Sequence, residues 1–233
     1  MFTRHFLNSL AALSCGLLVA CGGGGGGGDT AAPPATTFTL QSAFRAYTLA
    51  GATVNFSISG TCSGSATSTD APAVAATFEG VAGYSVAETS TFTLTNCVPA
   101  SSATTGTTYY DSNFTPLGSS TPGEEYAKFQ TAPPPLPTTV KVGDTAQYGT
   151  LTLYTDSTKA VSTGTRLLSY VVEADSASSA IVNLIAREYD TSNRLLYTQQ
   201  SRYRINSAGT LSPVSIDIQY STTSTTHLLL TKV

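Results

Sequence analysis

Residues 53–62 read TVNFSISGTC, and their regular alternation of apolar and polar side chains decides the fold class. Val54, Phe56 and Ile58 would share one face of an extended chain, and the asparagine and serines between them would share the other. Successive side chains of a β-strand point to opposite faces. The stretch therefore predicts a strand with one buried and one polar face.

The same period of two residues recurs along the second part of the chain, between short turn-rich segments. These stretches predict an antiparallel meander from Tyr148 to Val233. The one segment that could form a short helix is LQSAFRAYTLA, residues 40–50, whose spacing fits either structure. The further predicted strands are YGTLTLYTD, LLSYVVEA, SSAIVNLIAREYD, RLLYTQQSRYRI and VSIDIQYS.

These patterns predict an all-β chain, either an antiparallel β-sandwich or two small packed antiparallel sheets. We divide it into an N-terminal β region, residues 38–130, and a C-terminal meander, residues 131–233. The breaker-rich segment APPPLPTT lies just after this boundary. One shared core and two separate domains both remain open, since small sheets gain core by packing together.

The first twenty residues have the pattern of a secretory signal peptide. Arg4 precedes an apolar run of 11 residues, Leu10 to Ala20. A helix that crosses a bilayer needs about 20 such residues, whereas a short positive segment before a short apolar one is typical of export. We therefore expect residues 1–20 to be removed.

The sequence around the expected cleavage site resembles the lipobox of bacterial lipoproteins. Leu18-Val19-Ala20-Cys21 matches its aliphatic, medium, small and cysteine positions. The resemblance implies that Cys21 becomes the lipidated first residue and that acyl chains hold the protein on a membrane. Gly22 stands where an aspartate favours inner-membrane retention in that family, so we expect the outer membrane, with the face left open.

A flexible tether follows the expected lipid attachment site. Residues 21–37 contain the lipidated cysteine, seven glycines and Pro33-Pro34. Such a segment has little stiffness and a span of about 20–25 Å. This length would hold a folded domain clear of the lipid headgroups.

The four cysteines then divide by their expected fates. Cys15 leaves with the signal peptide, and Cys21 takes the lipid, which leaves Cys62 and Cys97 in an oxidising compartment. We predict that these two form a disulfide. A metal or thiol site would need further ligands, and His227 is the one histidine of the mature chain. The sequence therefore predicts neither a metal nor a cofactor.

The charge balance gives no reason to expect nucleic acid as a partner. Loss of Arg4 leaves 10 basic against 14 acidic residues, a net charge of −4. Proteins that bind phosphate backbones carry basic patches. Polarity comes instead from Thr and Ser, which suit the exposed face of a β-sheet.

The search for catalytic groups is largely negative. GYSVA, residues 83–87, differs from the nucleophile-elbow pattern GxSxG at Ala87, and its Ser85 would need His227. The aspartates fall in segments where we expect turns, in which Asp accepts backbone N–H groups. We therefore predict a non-enzyme, with an envelope glycan or peptide hydrolase as the alternative. These aspartates are Asp70, Asp111, Asp144, Asp156, Asp175 and Asp190.

A cationic and aromatic face is the candidate binding site. Arg202 and Arg204 share one face of a predicted strand, Arg187 lies on the preceding strand, and Tyr203 belongs to a nearby tyrosine stripe. Such a face could bind an anion such as phosphate, or stack on a glycan. The alternative is cross-strand ion pairing on a solvent face with Glu173, Glu188 or Asp217.

Longer segments resemble a group of uncharacterised proteobacterial lipoproteins. They include YYDSN, VKVGDTAQYGTLTLYTDSTK, SYVVEAD, IVNLIAREYD and RYRINSAG. The resemblance spans most of the mature chain but implies no activity and no residue roles. We therefore expect a lipid-anchored envelope protein with a binding or structural role, whose partner is an envelope protein or glycan.

Overall fold

The computed structural model describes residues 36–221 and 226–233 of the chain. The expected signal peptide, Cys21 and nearly all of the expected tether lie outside the described residues. Across the two described ranges, no helix combines the length and hydropathy that a membrane crossing requires.

The N-terminal region forms a helix among eight strands. The helix confirms the helical alternative for LQSAFRAYTLA, and the strand that follows it contains TVNFSISG. The elements are β1 Thr37–Phe38, α1 Leu40–Ala50, β2 Ala52–Gly60, β3 Ser63–Asp70, β4 Val74–Phe78, β5 Val81–Thr95, β6 Ser101–Asp111, β7 Pro116–Thr121 and β8 Glu125–Phe129.

The C-terminal region forms the meander predicted from its alternation. Each of the five strands from β10 to β14 pairs antiparallel with the next along the chain. The strands are β9 Val140–Lys141, β10 Thr145–Tyr154, β11 Ser162–Ser176, β12 Ser179–Asp190, β13 Leu195–Asn206, β14 Leu211–Tyr220 and β15 His227–Lys232.

The expected β-sandwich is wrong, because twelve strands close into one antiparallel barrel. The two regions meet at two seams, where β8 pairs with β10 and β15 pairs with β2. The pairing of β3 with β5 completes the ring, and β4 extends along the same edge of β5. Alternation shows that one face of each strand is buried, but a sandwich and a closed sheet both satisfy it.

Apolar side chains on the inward face form two clusters, one toward each end of the barrel. We call the first end the disulfide end, since Cys62 packs there with Phe56, Phe92 and Leu228. The opposite end is the helix end, where the larger cluster includes residues of α1. Both clusters draw on both regions of the chain, so the regions share one barrel interior.

Helix α1 fills the helix end. Its buried residues Leu40, Ala43, Phe44 and Thr48 follow the spacing of one helix face. Phe44 packs edge-on against Tyr110 of β6, with ring centres 6.1 Å apart. The helix ends at Gly51, whose φ of 66° suits glycine and whose N–H donates to the carbonyl of Tyr47.

The outward face of the wall is polar on β2, β3, β5 and β6. Thr53, Thr69, Thr89 and Thr105 form a continuous outward row across four neighbouring strands. Outer-membrane proteins also use closed antiparallel barrels, so the fold is compatible with that location. Barrels that span a membrane place apolar side chains outward. This wall carries the threonine row on one side and the outward Leu167, Ile181 and Ile185 on β11 and β12.

Candidate functional site

Acidic side chains interrupt the apolar interior of the barrel at two places. Among the described residues, Asp70, Glu88, Glu125 and Glu188 occupy inward positions, as their strand registers show. A buried carboxylate is costly unless it is neutralised or paired. The two acid pairs meet this requirement in different ways.

The acid pair nearer the helix end consists of Asp70 and Glu88. Asp70 ends β3 and lies directly opposite Glu88 of β5. The hydroxyl of Tyr47, on α1, donates to Asp70 Oδ2 at 3.5 Å, and the hydroxyl of Thr108 donates to Glu88 Oε1 at 2.5 Å. Neither carboxylate has a Lys, Arg or His partner among the residues that the structure describes.

A cavity of about 60 Å³ adjoins this pair, between α1 and the barrel wall. Its lining combines hydroxyl groups, such as that of Ser68, with apolar surfaces such as Phe56 and Ile216. Tyr203 also lines the cavity and is only 9% exposed. Its hydroxyl has no hydrogen-bond partner within the described parts of the chain. The cavity therefore holds two carboxylates and an unused phenol hydroxyl.

Burial raises the pKa values of both acids, and the charge of Asp70 raises the pKa of Glu88 further. Burial, followed by the neighbouring charge of Asp70, raises the pKa of Glu88 from 4.5 to about 7. Burial also raises the pKa of Asp70, although the hydrogen bond from Tyr47 opposes the change. The pair is therefore partly protonated at neutral pH.

The second acid group lies toward the disulfide end and contains its own cation. Arg166, whose side chain is 4% exposed, contacts Glu125 Oε2 at 2.8 Å and Glu188 Oε2 at 2.6 Å. Tyr197 donates to Glu188 Oε2 at 2.9 Å. Burial alone would lower the pKa of Arg166. The charges of Glu125, Tyr197 and Glu188 outweigh this effect and raise the pKa above its usual value, so the guanidinium stays charged.

The predicted cationic and aromatic face is not assembled on one surface. Arg202 and Arg204 point outward, where Arg202 Nε contacts Glu173 at 3.4 Å and Arg204 Nε contacts Asp175 at 2.8 Å. Tyr203 lies between them on the strand and so faces the interior. The cross-strand pairing considered from the sequence is thus present for Arg202.

Arg187 lies outward on β12, opposite Thr198 of β13. Within the described residues its side chain makes no ion pair or hydrogen bond. Ile185, two residues before Arg187 on the same strand, also points outward and lies opposite Gln200 of β13. The three arginines therefore share the outer wall, while the tyrosine belongs to the cavity.

The predicted disulfide between Cys62 and Cys97 is confirmed. Cys62 lies in the turn between β2 and β3, and Cys97 lies in the connection after β5, with Cα atoms 5.8 Å apart. Asn96 adopts a φ of 63°, which turns the chain at the end of β5. The bridge therefore sits at the rim of the barrel, outside the strict alternation of the strands.

The residues considered for a serine hydrolase lie at opposite ends of the barrel. Ser85 is near the helix end of β5, whereas His227 begins β15 at the disulfide end. Leu94 marks the disulfide end of β5 and is nine residues from Ser85, which corresponds to about 30 Å of strand. His227 Nε2 instead contacts Asp217 at 3.1 Å on the outer wall.

The turn prediction holds for several aspartates but is wrong for Asp70. Asp111, Asp156 and Asp190 each accept backbone N–H groups within turns. Asp70 instead ends a strand and faces the interior. The sequence signal that could have located the site is the alternation of side chains along β5. Glu88 is four residues from the apolar Phe92, so both point to the same, buried face of the strand.

Comparisons with known proteins add no assignment to this geometry. Comparison of the chain with protein-family models, with curated proteins and with solved structures gave no match. Within the described residues, no three His, Cys, Asp or Glu side chains cluster so that they could hold a metal ion. The site must therefore be interpreted from its own chemistry.

Proposed function

We propose that this protein is an exported, lipid-anchored envelope protein whose barrel is a non-enzymatic binding module for a small molecule. The observation that carries the proposal is the cavity of about 60 Å³ beside Asp70 and Glu88. Protein interiors are otherwise closely packed. A cavity lined by both polar and apolar groups is typical of a small-molecule site.

The outward threonine row on β2, β3, β5 and β6 supports attachment through a lipid rather than through the barrel itself. A wall of threonine and serine positions is suited to water. The lipobox-like sequence before Cys21 and the glycine-rich tether would supply the missing attachment to the outer membrane. Described strand β1 pairs with β9 at Val140–Lys141, so the tether would join the barrel next to α1.

The binding function can be tested with three probes of similar size and different charge. n-Butylammonium, n-butanol and butyrate are each added to the mature chain, and the melting temperature is measured. A ligand that binds the folded state raises this temperature. At least one probe should raise the melting temperature of the natural sequence. The same probe should not raise that of Ser201→Leu, which places a larger side chain at the cavity.

The matched control is Thr198→Leu, which makes a similar change on the outward face of the same strand. Ser68→Val provides a smaller change in the cavity if Ser201→Leu does not fold. The binding proposal is overturned if no probe raises the melting temperature, or if the cavity variants respond as the natural sequence does.

The anchor has a separate test in cells. Cys21→Ser should abolish incorporation of radiolabelled palmitate and release the protein from the outer-membrane fraction. Cys15→Ser is the matched control, because that cysteine lies in the expected signal peptide. Undiminished labelling of Cys21→Ser would contradict the lipid anchor.

A further inference from the structure

We infer that the cavity beside Asp70 and Glu88 binds a small primary alkylammonium ion. The inference rests on the proposed binding function and specifies the ligand class. It follows from the charge of the two acids, the division of the cavity wall into polar and apolar parts, and the unused hydroxyl of Tyr203.

The charge of the site calls for a cation from outside the chain. Asp70 and Glu88 face each other inside the barrel, and the described residues place no cation against them. Arg202 contributes to the cavity wall, but its guanidinium contacts Glu173 and Gln200. Ionised carboxylates in an apolar interior are strongly destabilising without a partner. A bound cation would provide that partner.

The distribution of wall groups favours an organic cation over a metal ion. Calcium takes six to eight oxygen ligands, and magnesium retains several waters around a strict octahedron. This site offers only two carboxylates, and Val54, Phe56 and Ile216 form an apolar part of its wall. An alkylammonium has a charged group for the acids and a hydrocarbon part for these side chains.

The ammonium group would find three oxygen acceptors and two aromatic rings. Its three N–H groups match Asp70, Glu88 and the hydroxyl of Tyr203 in number. The rings of Tyr47 and Tyr203 stand nearly perpendicular to each other beside the cavity, 5.9 Å apart. Aromatic faces attract cations, most strongly where water is excluded.

The cavity limits the size of the bound group. A buried water needs roughly 10–15 Å³ of comparable volume, so about 60 Å³ holds about four to six non-hydrogen atoms. n-Butylammonium has this size. The same chemistry is present at the end of a longer amine such as a lysine side chain, which would need an opening beside α1.

Binding should be coupled to release of a proton. The pKa of Glu88 near 7 means that this side chain is about half protonated at neutral pH, whereas an ammonium ion favours its ionised form. The other titratable groups that face them are Tyr47, Tyr110 and Tyr203, whose pKa values burial raises, so they stay neutral. For one proton with a pKa near 7, affinity should rise about tenfold from pH 6 to pH 8.

The test is calorimetric titration of the mature chain with n-butylammonium chloride in amine-free buffer at pH 6 and pH 8. n-Butanol, a neutral isostere, and calcium and potassium chloride are titrated in parallel. We expect binding of n-butylammonium alone, tighter at pH 8. Nα-acetyl-lysine amide then tests whether the end of a longer amine also enters.

Variants test the assigned contacts. Glu88→Gln and Asp70→Asn should each weaken n-butylammonium binding by about 10- to 100-fold, and Tyr203→Phe by about three- to tenfold. Glu173→Gln and Asp217→Asn change carboxylates of the outer wall and should leave affinity unchanged. Unaltered affinity in Glu88→Gln would overturn the assignment.

The outcomes separate this inference from the proposed function. If n-butanol or butyrate binds and Ser201→Leu abolishes that binding, the ligand class is wrong and the binding function stands. If calcium or potassium binds more tightly than n-butylammonium, the site is one for an inorganic cation. If no probe binds, both the ligand class and the binding function fail.

Discussion

The two ends of the barrel bury acids in different ways. Toward the disulfide end, Glu125 and Glu188 share Arg166, so the carboxylates have a cation within the chain. Toward the helix end, the donors that the described residues offer to Asp70 and Glu88 are hydroxyl groups. The chain supplies a cation for the first pair of acids, whereas the second pair can be compensated only by protons or a bound cation.

The two ends of the barrel are also closed by different structures. Cys62–Cys97 links the connections after β2 and β5 covalently at the disulfide end. The helix end is closed by α1, whose Tyr47 reaches both Asp70 and the ring of Tyr203. The comparison indicates that the disulfide end serves stability, whereas the helix end combines a non-covalent closure with a carboxylate pair that lacks a cation among the described residues.

The largest expected effect comes from making the disulfide end resemble the helix end. Arg166→Met removes the guanidinium and leaves Glu125 and Glu188 buried without a cation. Removal of one partner of a buried ion pair typically costs about 3–5 kcal/mol of stability. Denaturant unfolding at pH 7 should show a loss of this size.

The same variant should also acquire the pH dependence of the helix end. A buried carboxylate without a cation is less costly once it is protonated, so the deficit should shrink as pH falls. Addition of Glu188→Gln should restore part of the lost stability. A cost below about 1 kcal/mol at pH 7 would mean that the ion pair is not what compensates this end.

The next effect concerns the covalent closure. Replacement of both Cys62 and Cys97 by alanine opens a loop with a sequence separation of 35 residues. The loss of this constraint on the unfolded chain should lower stability by about 3–4 kcal/mol. Reduction of the natural chain should reproduce the value, and n-butylammonium affinity should not change, because the cavity lies toward the other end.

Much of the fold follows from local sequence, but the closure of the barrel does not. The period of two residues locates the strands of the meander, and short turns determine which of them are neighbours. Pairing of β2 with β15 joins segments near opposite ends of the chain, and no local pattern specifies it. The same alternation would serve a sandwich, which is why that prediction was wrong.

The candidate site shows the same division between local and long-range information. Strict alternation already separates Tyr203 from Arg202 and Arg204, so their placement on one face was an avoidable error. Phase likewise indicates that Glu88 points inward. The partner of Glu88 could not be found in this way, because the register of β3 against β5 brings Asp70 to it.

The last prediction neutralises the helix end and compares its pH dependence with that of the natural chain. In the folded protein the pKa of Glu88 is raised from 4.5 to about 7. The folded state therefore holds its proton more tightly than the unfolded state does. The resulting stabilisation is fully present below pH 4.5 and is lost as pH rises through about 7.

Glu88→Gln keeps the side chain neutral and removes this loss. Between pH 5 and pH 8 its stability should improve relative to the natural chain by about 2–3 kcal/mol, measured by denaturant unfolding in amine-free buffer. Glu173→Gln, on the outer wall, should show no such trend. Saturating n-butylammonium should stabilise the natural chain at pH 8 and thereby narrow the difference from Glu88→Gln. A stability difference between Glu88→Gln and the natural chain that does not vary with pH would contradict this prediction. It would mean that groups of the chain itself compensate Asp70 and Glu88, as Arg166 does for Glu125 and Glu188.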